Sequence, residues 1–490
     1  MRGVVAAGHP VTAEAGAEVL RAGGNAVDAA LAAMFTSFVA EPMLTGLGAG
    51  GYMLVAPPDA SPVLLDFFVE APGRGLTAGA PHAPLRSIDV DFGDAVQSFN
   101  IGAAAAGPYG TVAGAWTAAE RFGRLPPAEL VAPAVELARD GVSVNAHQAY
   151  LFEILGPITG ATPEARALYM PAGRSPQVGE LHRDPALADA LERLAAEGPA
   201  PFYTGEVAEA VCAWIGERGG LLTRADLAAY AAVARTPVRV LYRGATVITN
   251  PPPSAGGVLL AHALAVLDRA PSPPSVAAIV AAMASAQAER TPEFLAGLPD
   301  PGFLERFVAS RLGATTHISA VDADGWACAV TCTNGEGSGE VVPGTGIHLN
   351  NMMGEQDLSP FGFHTHPPGR RLPSMMAPTM VLADEEPRLV LGSAGSNRIR
   401  SAILQVVIAV LDHGLDVQAA IDAPRAHLEE GIAYVEPGVD TAGLEAEQRA
   451  LVRFSARNLF FGGAQGVQRG AGGALAGGGD PRRGGAVAVA

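Results

Sequence analysis

A layered α/β architecture, with helices covering stacked sheets, is what this sequence predicts, and three observations predict it. The chain has 490 residues, 49% of them hydrophobic and 17% charged, which is the make-up of a globular protein with a large core. Runs with the two-residue period of strands recur in pairs along it. Between those pairs lie long Ala-, Leu- and Val-rich stretches with helical character. The 60 Gly and 39 Pro follow no collagen period and mark tight turns. Length alone suggests two or three domains, and no internal repeat is evident.

The elements follow in chain order. Residues 13–21 (AEAGAEVLR) form a short amphipathic helix stopped by Gly23-Gly24, and Asn25 caps a second helix with Asp28 three residues on. Gly46-Leu47-Gly48-Ala49-Gly50-Gly51 fits G-x-G-x-x-G, but a dinucleotide site needs a strand before that run and a helix after it. Here AEPMLT precedes and strand-like YMLVA follows, so the run reads as a tight turn from helix to strand. Residues 130–139 and 185–196 are further helices, and 237–250 (PVRVLYRGATVITN) alternates like a hairpin with Arg-Gly near its turn. The rigid PPPSAGG loop enters a helix at 258–267. Residues 317–333 and 378–394 are hairpins, 399–413 is a long apolar helix, and the Gly-rich tail 462–490 reads as loose.

Charge and composition exclude several functions. A formal charge of −17 argues against binding a phosphate backbone, which needs clustered positive charge; every basic residue is Arg. Cys212, Cys328 and Cys332 lack Cys-x-x-Cys spacing, so free buried thiols are expected, the latter two on one strand face. The N-terminus shows neither a charged n-region nor an apolar h-region, and no run of about eighteen apolar residues occurs. A cytoplasmic protein with no membrane or nucleic-acid partner is the expectation. His364-x-His366 and nearby His348 sit in a Pro-rich context without a matching carboxylate and read as exposed histidines. No metal or other cofactor is expected. Ser254 and Ser374 lack the G-x-S-x-G elbow of a serine hydrolase.

GATTHISAVDADG (313–325) is where chemistry is placed. If residues 323 and 324 form the hairpin turn, 315 pairs with 332 and 316 with 331; if the turn is 324 and 325, 315 pairs with 334 and 316 with 333. Either register brings the hydroxyls of Thr331 and Thr333 near Thr315. A hydroxyl needs an adjacent base to act as a nucleophile. Breaking the Ala314–Thr315 bond would supply one, because a free α-amine titrates near pH 8 and is partly neutral. An ordinary hairpin that uses threonine for its pleat is the competing reading.

The surrounding segments decide between them. HPVTAEAGAEVLRAGGNAVDAALAA, the EP before GLGAGGYMLV, GTVAGAW, FYTGEVAEAV, NPPPSAGG, TTHISAVDADG, SGEVVPGTGIHLNN, SMMAPTMVL, GSAGSNRI and GDPRRGG occur in one order. Together they resemble the γ-glutamyltranspeptidase (γ-glutamyltransferase) family from near residue 3 to near 486. The resemblance implies a four-layer αββα sandwich of the N-terminal-nucleophile hydrolase type, made as an inactive precursor. Self-cleavage before Thr315 would give a large subunit, 1–314, and a small one, 315–490, which together form one αββα domain. By the same resemblance Thr315 is the nucleophile and Thr333 supports its hydroxyl. Gly395 and Ser396 supply the backbone N–H groups of an oxyanion hole; the family has Gly at the second place, but a backbone donor survives the change. Among the ligands of the substrate α-amine, Asn334 (or Gly335) stands for the family's Asn in a region two residues shorter. Asp357 stands for its carboxylate, with Glu355 as a rival.

Three positions depart from the pattern. Phe68, within Asp66-Phe67-Phe68-Val69-Glu70, replaces the Arg that grips the donor's α-carboxylate, and a phenyl ring offers none of that fork's charge-assisted bonds. Ser374-Met375 retains one hydroxyl of a serine pair, and Met352 replaces a Gln. Either another cation, such as Arg370 or Arg371, takes over, or the acyl pocket has become apolar around Phe68, Met352 and Met375. The leading expectation is an enzyme that transfers or hydrolyses a γ-glutamyl or related acyl group through an acyl-Thr315 ester. Its donor would be a glutathione-like compound or an amide, its acceptor water or an amine, and a homo-oligomer is left open. An amidase or acylase with a different donor, like the family's cephalosporin acylases, is the alternative. An unprocessed, non-catalytic binding protein is a third.

Overall fold

In the first strand, Gly3–Ala7 (β1), Val5 and Ala7 join one apolar cluster while Val4 and Ala6 join another, the alternation of a strand buried on both faces. That pattern repeats across the computed structural model, which describes residues 1–77, 79–91, 96–289, 298, 316–359, 362–395 and 397–490. Further strands are Gly50–Ala56 (β2), Val63–Phe67 (β3), Val233–Arg235 (β4), Val238–Tyr242 (β5), Ala245–Thr249 (β6), Thr316–Asp322 (β7) and Ala327–Thr333 (β8). Thr379–Ala383 (β9), Glu386–Ala394 (β10), Gly463–Arg469 (β11), Leu475–Gly479 (β12) and Ala486–Val489 (β13) follow. One seven-stranded sheet runs β13-β1-β7-β8-β2-β3-β4, and a six-stranded sheet runs β12-β11-β10-β9-β6-β5.

Helices Pro10–Arg21 (α1), Ala26–Ala40 (α2), Thr111–Phe122 (α3) and Pro185–Glu197 (α4) close the outer face of the first sheet over Ile318, Ala320, Cys328, Val330 and Cys332. Ala255–Asp268 (α5), Val276–Ala288 (α6) and Arg398–Leu411 (α7) cover the second sheet. The result is the four-layer αββα sandwich. β1 to β4 share the first sheet with β7, β8 and β13, so neither sheet belongs to one half of the chain. Among the described residues no helix is long and apolar enough to cross a membrane.

Caps account for the helix starts. His9 accepts the Val11 N–H and Pro10 occupies the first turn, so α1 begins three residues before the expected 13. Asn25 and Asp28 form a capping box on α2. The thiols of Cys328 and Cys332 are free and lie on the α2 side of β8.

Three expectations are corrected. The β7–β8 register is Thr316↔Cys332 and His317↔Thr331, which lies between the two expected alternatives. The turn has three residues: the Asp322 N–H bonds the Trp326 carbonyl, and Gly325 supplies the positive φ of 96°. The Gly-rich tail is not loose, since it supplies β11, β12 and β13. A side chain at Gly477 would run into Val487, and a Cβ at Gly478 would lie 2.7 Å from Ile421, so these glycines permit close packing. The histidines are not an exposed group. His348 and His366 are buried, the former bonded to the Tyr169 hydroxyl at 3.0 Å and the latter to the Leu358 carbonyl at 2.8 Å, while His364 reaches the Ala104 carbonyl. Among the described residues no three His, Cys, Asp or Glu are placed to hold a metal ion.

Candidate active site

The start of β7 and the end of β8 lie side by side in the middle of the first sheet. Their odd-numbered residues face the second sheet. There the His317 ring bonds Thr331 Oγ1 at 2.7 Å and Ser319 Oγ at 2.9 Å, and burial pushes its pKa down to about 3. Gly392 on β10 leaves room for that ring, which any side chain there would strike. Thr333, at the end of β8, is buried and accepts the Gly335 N–H at 2.7 Å. Thr315 and Ser396 lie outside the described residues.

Beyond Thr333 the chain is held by asparagines. Asn334 takes its place through its N–H to the Leu44 carbonyl (3.0 Å) and its amide to the His348 carbonyl (3.3 Å), while its buried Oδ1 has no partner among the described residues. Asn350 ties Gly48 to Gly107, and Asn351 accepts from the Glu336 N–H and donates to Glu355 Oε1 at 3.2 Å. Gly48 could not carry a side chain, because the His348 carbonyl lies against it. The glycine run after α2 therefore serves close backbone approach to this loop. Glu355, the rival to Asp357, sits beside Asn351 and the Glu336 carboxyl. Burial pushes Glu336 up to about 7. Asp357 falls in the short helical turn Gln356–Leu358, and its side chain lies outside the described residues.

Gly395 follows β10 with φ of 116°, and a Cβ there would stand 2.7 Å from Gly462 Cα and 3.4 Å from an Arg483 nitrogen. Only glycine suits both demands. Its carbonyl accepts the Arg398 N–H that opens α7, and the neighbouring Asn397 amide is bonded to Glu429. Burial and the nearby Arg398 lower the Arg483 pKa to about 10, against the opposing pull of Asp480, Glu336 and Glu41. Arg483, Glu336 and Glu41 were missed as site residues. The GDPRRGG segment and the Glu-Pro pair were visible signals, but neither reveals that it folds toward Gly395 and Thr316.

Phe68, Met352 and Met375 fall in one buried apolar cluster with Tyr52, Met353, Leu372 and Met376. The Phe68 ring stacks on Tyr52 with centroids 5.6 Å apart. Arg371, the suggested replacement cation, is committed elsewhere. It lies 3.6 Å from Asp66 and 3.5 Å from Glu70, donates to the Phe68 and Ala231 carbonyls, and sits on the Tyr230 ring. Ser374 uses its hydroxyl to accept the Met376 N–H at 3.1 Å, and its carbonyl accepts the N–H groups of Ala255 and Gly256. In the structure the retained serine thus holds the PPPSAGG loop.

The layer order is that of the N-terminal-nucleophile hydrolase fold. A model of the family described as "Gamma-glutamyltranspeptidase" matches residues 12–309 and 304–490. The chain belongs to the γ-glutamyltranspeptidase family, whose enzymes transfer or hydrolyse acyl groups. It is 35% identical over 499 residues to a glutathione hydrolase proenzyme of Pseudomonas aeruginosa, covering 91% of this chain and 87% of the relative. It is 32% identical over 479 residues to the acylase ACY 1 proenzyme of Pseudomonas sp. strain SE83, covering 91% and 86%. Among solved structures, the cephalosporin acylase from Bacillus halodurans superposes with a TM-score of 0.85 at 27% identity, covering 100% of this chain and 96% of the other.

Proposed function

We propose that the chain is a self-processing acylase that cuts itself between Ala314 and Thr315 into subunits 1–314 and 315–490. It then hydrolyses amides whose acyl group lacks a free α-carboxylate. Thr315 is the nucleophile, and its α-amine is the base. Thr333 ends β8 one residue past the Thr316↔Cys332 rung, which supports it as the hydroxyl that steadies the nucleophile. The N–H groups of Gly395 and Ser396 receive the oxyanion. Water is the acceptor, as the hydrolase and acylase names of the relatives suggest.

One observation carries the choice of donor: Phe68 is stacked on Tyr52 while Arg371 is held by Asp66 and Glu70. A donor carboxylate placed there would lack its cation, at a cost of about 2–5 kcal/mol by analogy with a truncated buried ion pair. Asn334, Asp357 and Ser374 remain as polar contacts for the rest of the donor, beside an apolar wall of Met352 and Met375. The test compares kcat/KM of mature protein for a γ-glutamyl anilide with that for acyl anilides lacking the carboxylate. Preference for the latter, by about tenfold or more at roughly 1.4 kcal/mol per decade, is expected. A clear preference for the γ-glutamyl donor overturns the acylase reading.

A further inference from the structure

Glu41 is a buried carboxyl group that the acyl-transfer scheme leaves without a task. It follows directly after α2, and hydroxyls from two other elements occupy its oxygens. Thr316 Oγ1 at the start of β7 donates to Oε2 at 3.0 Å, and Thr12 Oγ1 on α1 donates to Oε1 at 3.3 Å. The backbone before α1 is cleared for it, since any Cβ at Gly8 would collide with Oε2. A carboxylate 2% exposed is costly to keep unless its charge is used.

The groups facing it are few. Arg483, from the turn before β13, is the cation that acts on it; the Cys332 thiol on β8 is pushed up to about 12 by burial and stays neutral. His9, next to Gly8, is held at about 4 by burial and is likewise neutral. Burial outweighs Arg483 and the two hydroxyls and raises Glu41 to about 7. That is still below the range near pH 8 in which an α-amine titrates, so the carboxyl is charged there.

Thr316 is separated by one peptide bond from Thr315. We propose that Glu41 is the positioning residue of the nucleophile: it anchors Thr316 at the first rung of β7, and its negative charge stabilises the α-ammonium that chain cleavage creates at Thr315. This rests on the reading of Thr315 as nucleophile. In cleavage the Thr315 oxygen bonds to the Ala314 carbonyl carbon, the C–N bond breaks, and the hydroxyl proton passes to the departing nitrogen. Water then splits the ester, restoring the hydroxyl and leaving an Ala314 carboxyl group whose proton the new amine takes up. That positive charge arises on the residue bonded to Thr316, whose hydroxyl Glu41 accepts, and a nearby opposite charge raises the pKa of an amine.

Glu41→Gln keeps the shape and an oxygen for Thr316 but removes the charge. Self-cleavage of the full chain is followed by intact mass, beside Thr315→Ala, and kcat/KM of the mature protein is measured against pH. Cleavage should slow by about tenfold or more, and the apparent pKa of the amine should fall by about one unit. A purely structural prop would change rate and stability without moving that pKa. Thr316→Val should slow cleavage to a similar extent and Thr316→Ser should restore it, which keeps the proposal testable if Glu41→Gln folds poorly. Wild-type cleavage and an unmoved pKa in Glu41→Gln, or wild-type cleavage in Thr316→Val, overturn the role of Glu41 while leaving the nucleophile in place. A wild-type chain that stays whole removes both.

Discussion

Thr333 shows what one hydroxyl can settle. It accepts the Gly335 N–H at 2.7 Å, and a hydroxyl that accepts still has its own proton to give. In the proposed mechanism that proton holds the Thr315 oxygen for attack. Thr333→Ala should therefore lower both self-cleavage and turnover, on the order of tenfold to a thousandfold, whereas Thr333→Ser should stay close to wild type. Cleavage kinetics and kcat of the two variants check this, and equal rates in Thr333→Ala would remove the residue from the site. At this scale the sequence singles out Thr333 and Gly395 only because a motif carries each of them. It was silent on Glu41, because nothing local to a Glu-Pro pair says that a strand begun 275 residues later will donate to it. Arg371 is named with Arg370 as a replacement cation for the same reason: its partners Asp66 and Glu70 reach it only in the fold.

Strands and turns were legible in kind and less so in register. Arg243-Gly244 turns the β5–β6 hairpin with φ of 51° and 78°, as the Arg-Gly signal indicates. Asp-Gly at 324–325 suggested a two-residue turn, yet Gly325 closes a three-residue one, and that one-residue difference sets Thr316 opposite Cys332 and His317 opposite Thr331. Glycine in the tail was read as looseness when it serves close approach. The same logic governs the contact between sheets, where Gly392 of β10 lies against the His317 ring of β7. Gly392→Ala forces the ring or the strand to move, and overpacking of this kind costs about 1–3 kcal/mol. Chemical denaturation should show that loss, together with slower cleavage, because β7 begins one residue after the proposed nucleophile. Unchanged stability would mean that the sheets can separate there freely.

Across the whole molecule, burial keeps four histidines neutral: His9, His182 and His348 at about 4 and His317 at about 3, against an ordinary value of 6.5. As pH falls below 6.5 the unfolded chain gains protons on these rings that the folded chain refuses, so stability declines toward pH 4. Glu41 and Glu336, raised to about 7, act in the opposite sense: the folded state holds protons that the unfolded state releases above 4.5, which favours the fold at lower pH. The four histidines, joined by His147, His364, His366 and His427, which burial also lowers, outweigh the two carboxyl groups in that range, and Tm should fall between pH 6.5 and pH 5. A Tm that is flat or rises on acidification would contradict the burial of these rings. The layered fold itself was readable from alternating strands and capped helices, but the interleaving of the sheets was not, since only long-range pairing creates it. That interleaving has a consequence for the proposed cut. β1 is laddered to β7, β8 to β2 and β6 to β9, so strands from either side of residue 315 share every layer of the core. A precursor can recover from unfolding as a single chain. Two fragments must first find one another, and their recovery depends on concentration. After the proposed cut the protein would persist by how slowly it comes apart, since reassembly at low concentration is slower than the refolding of one chain.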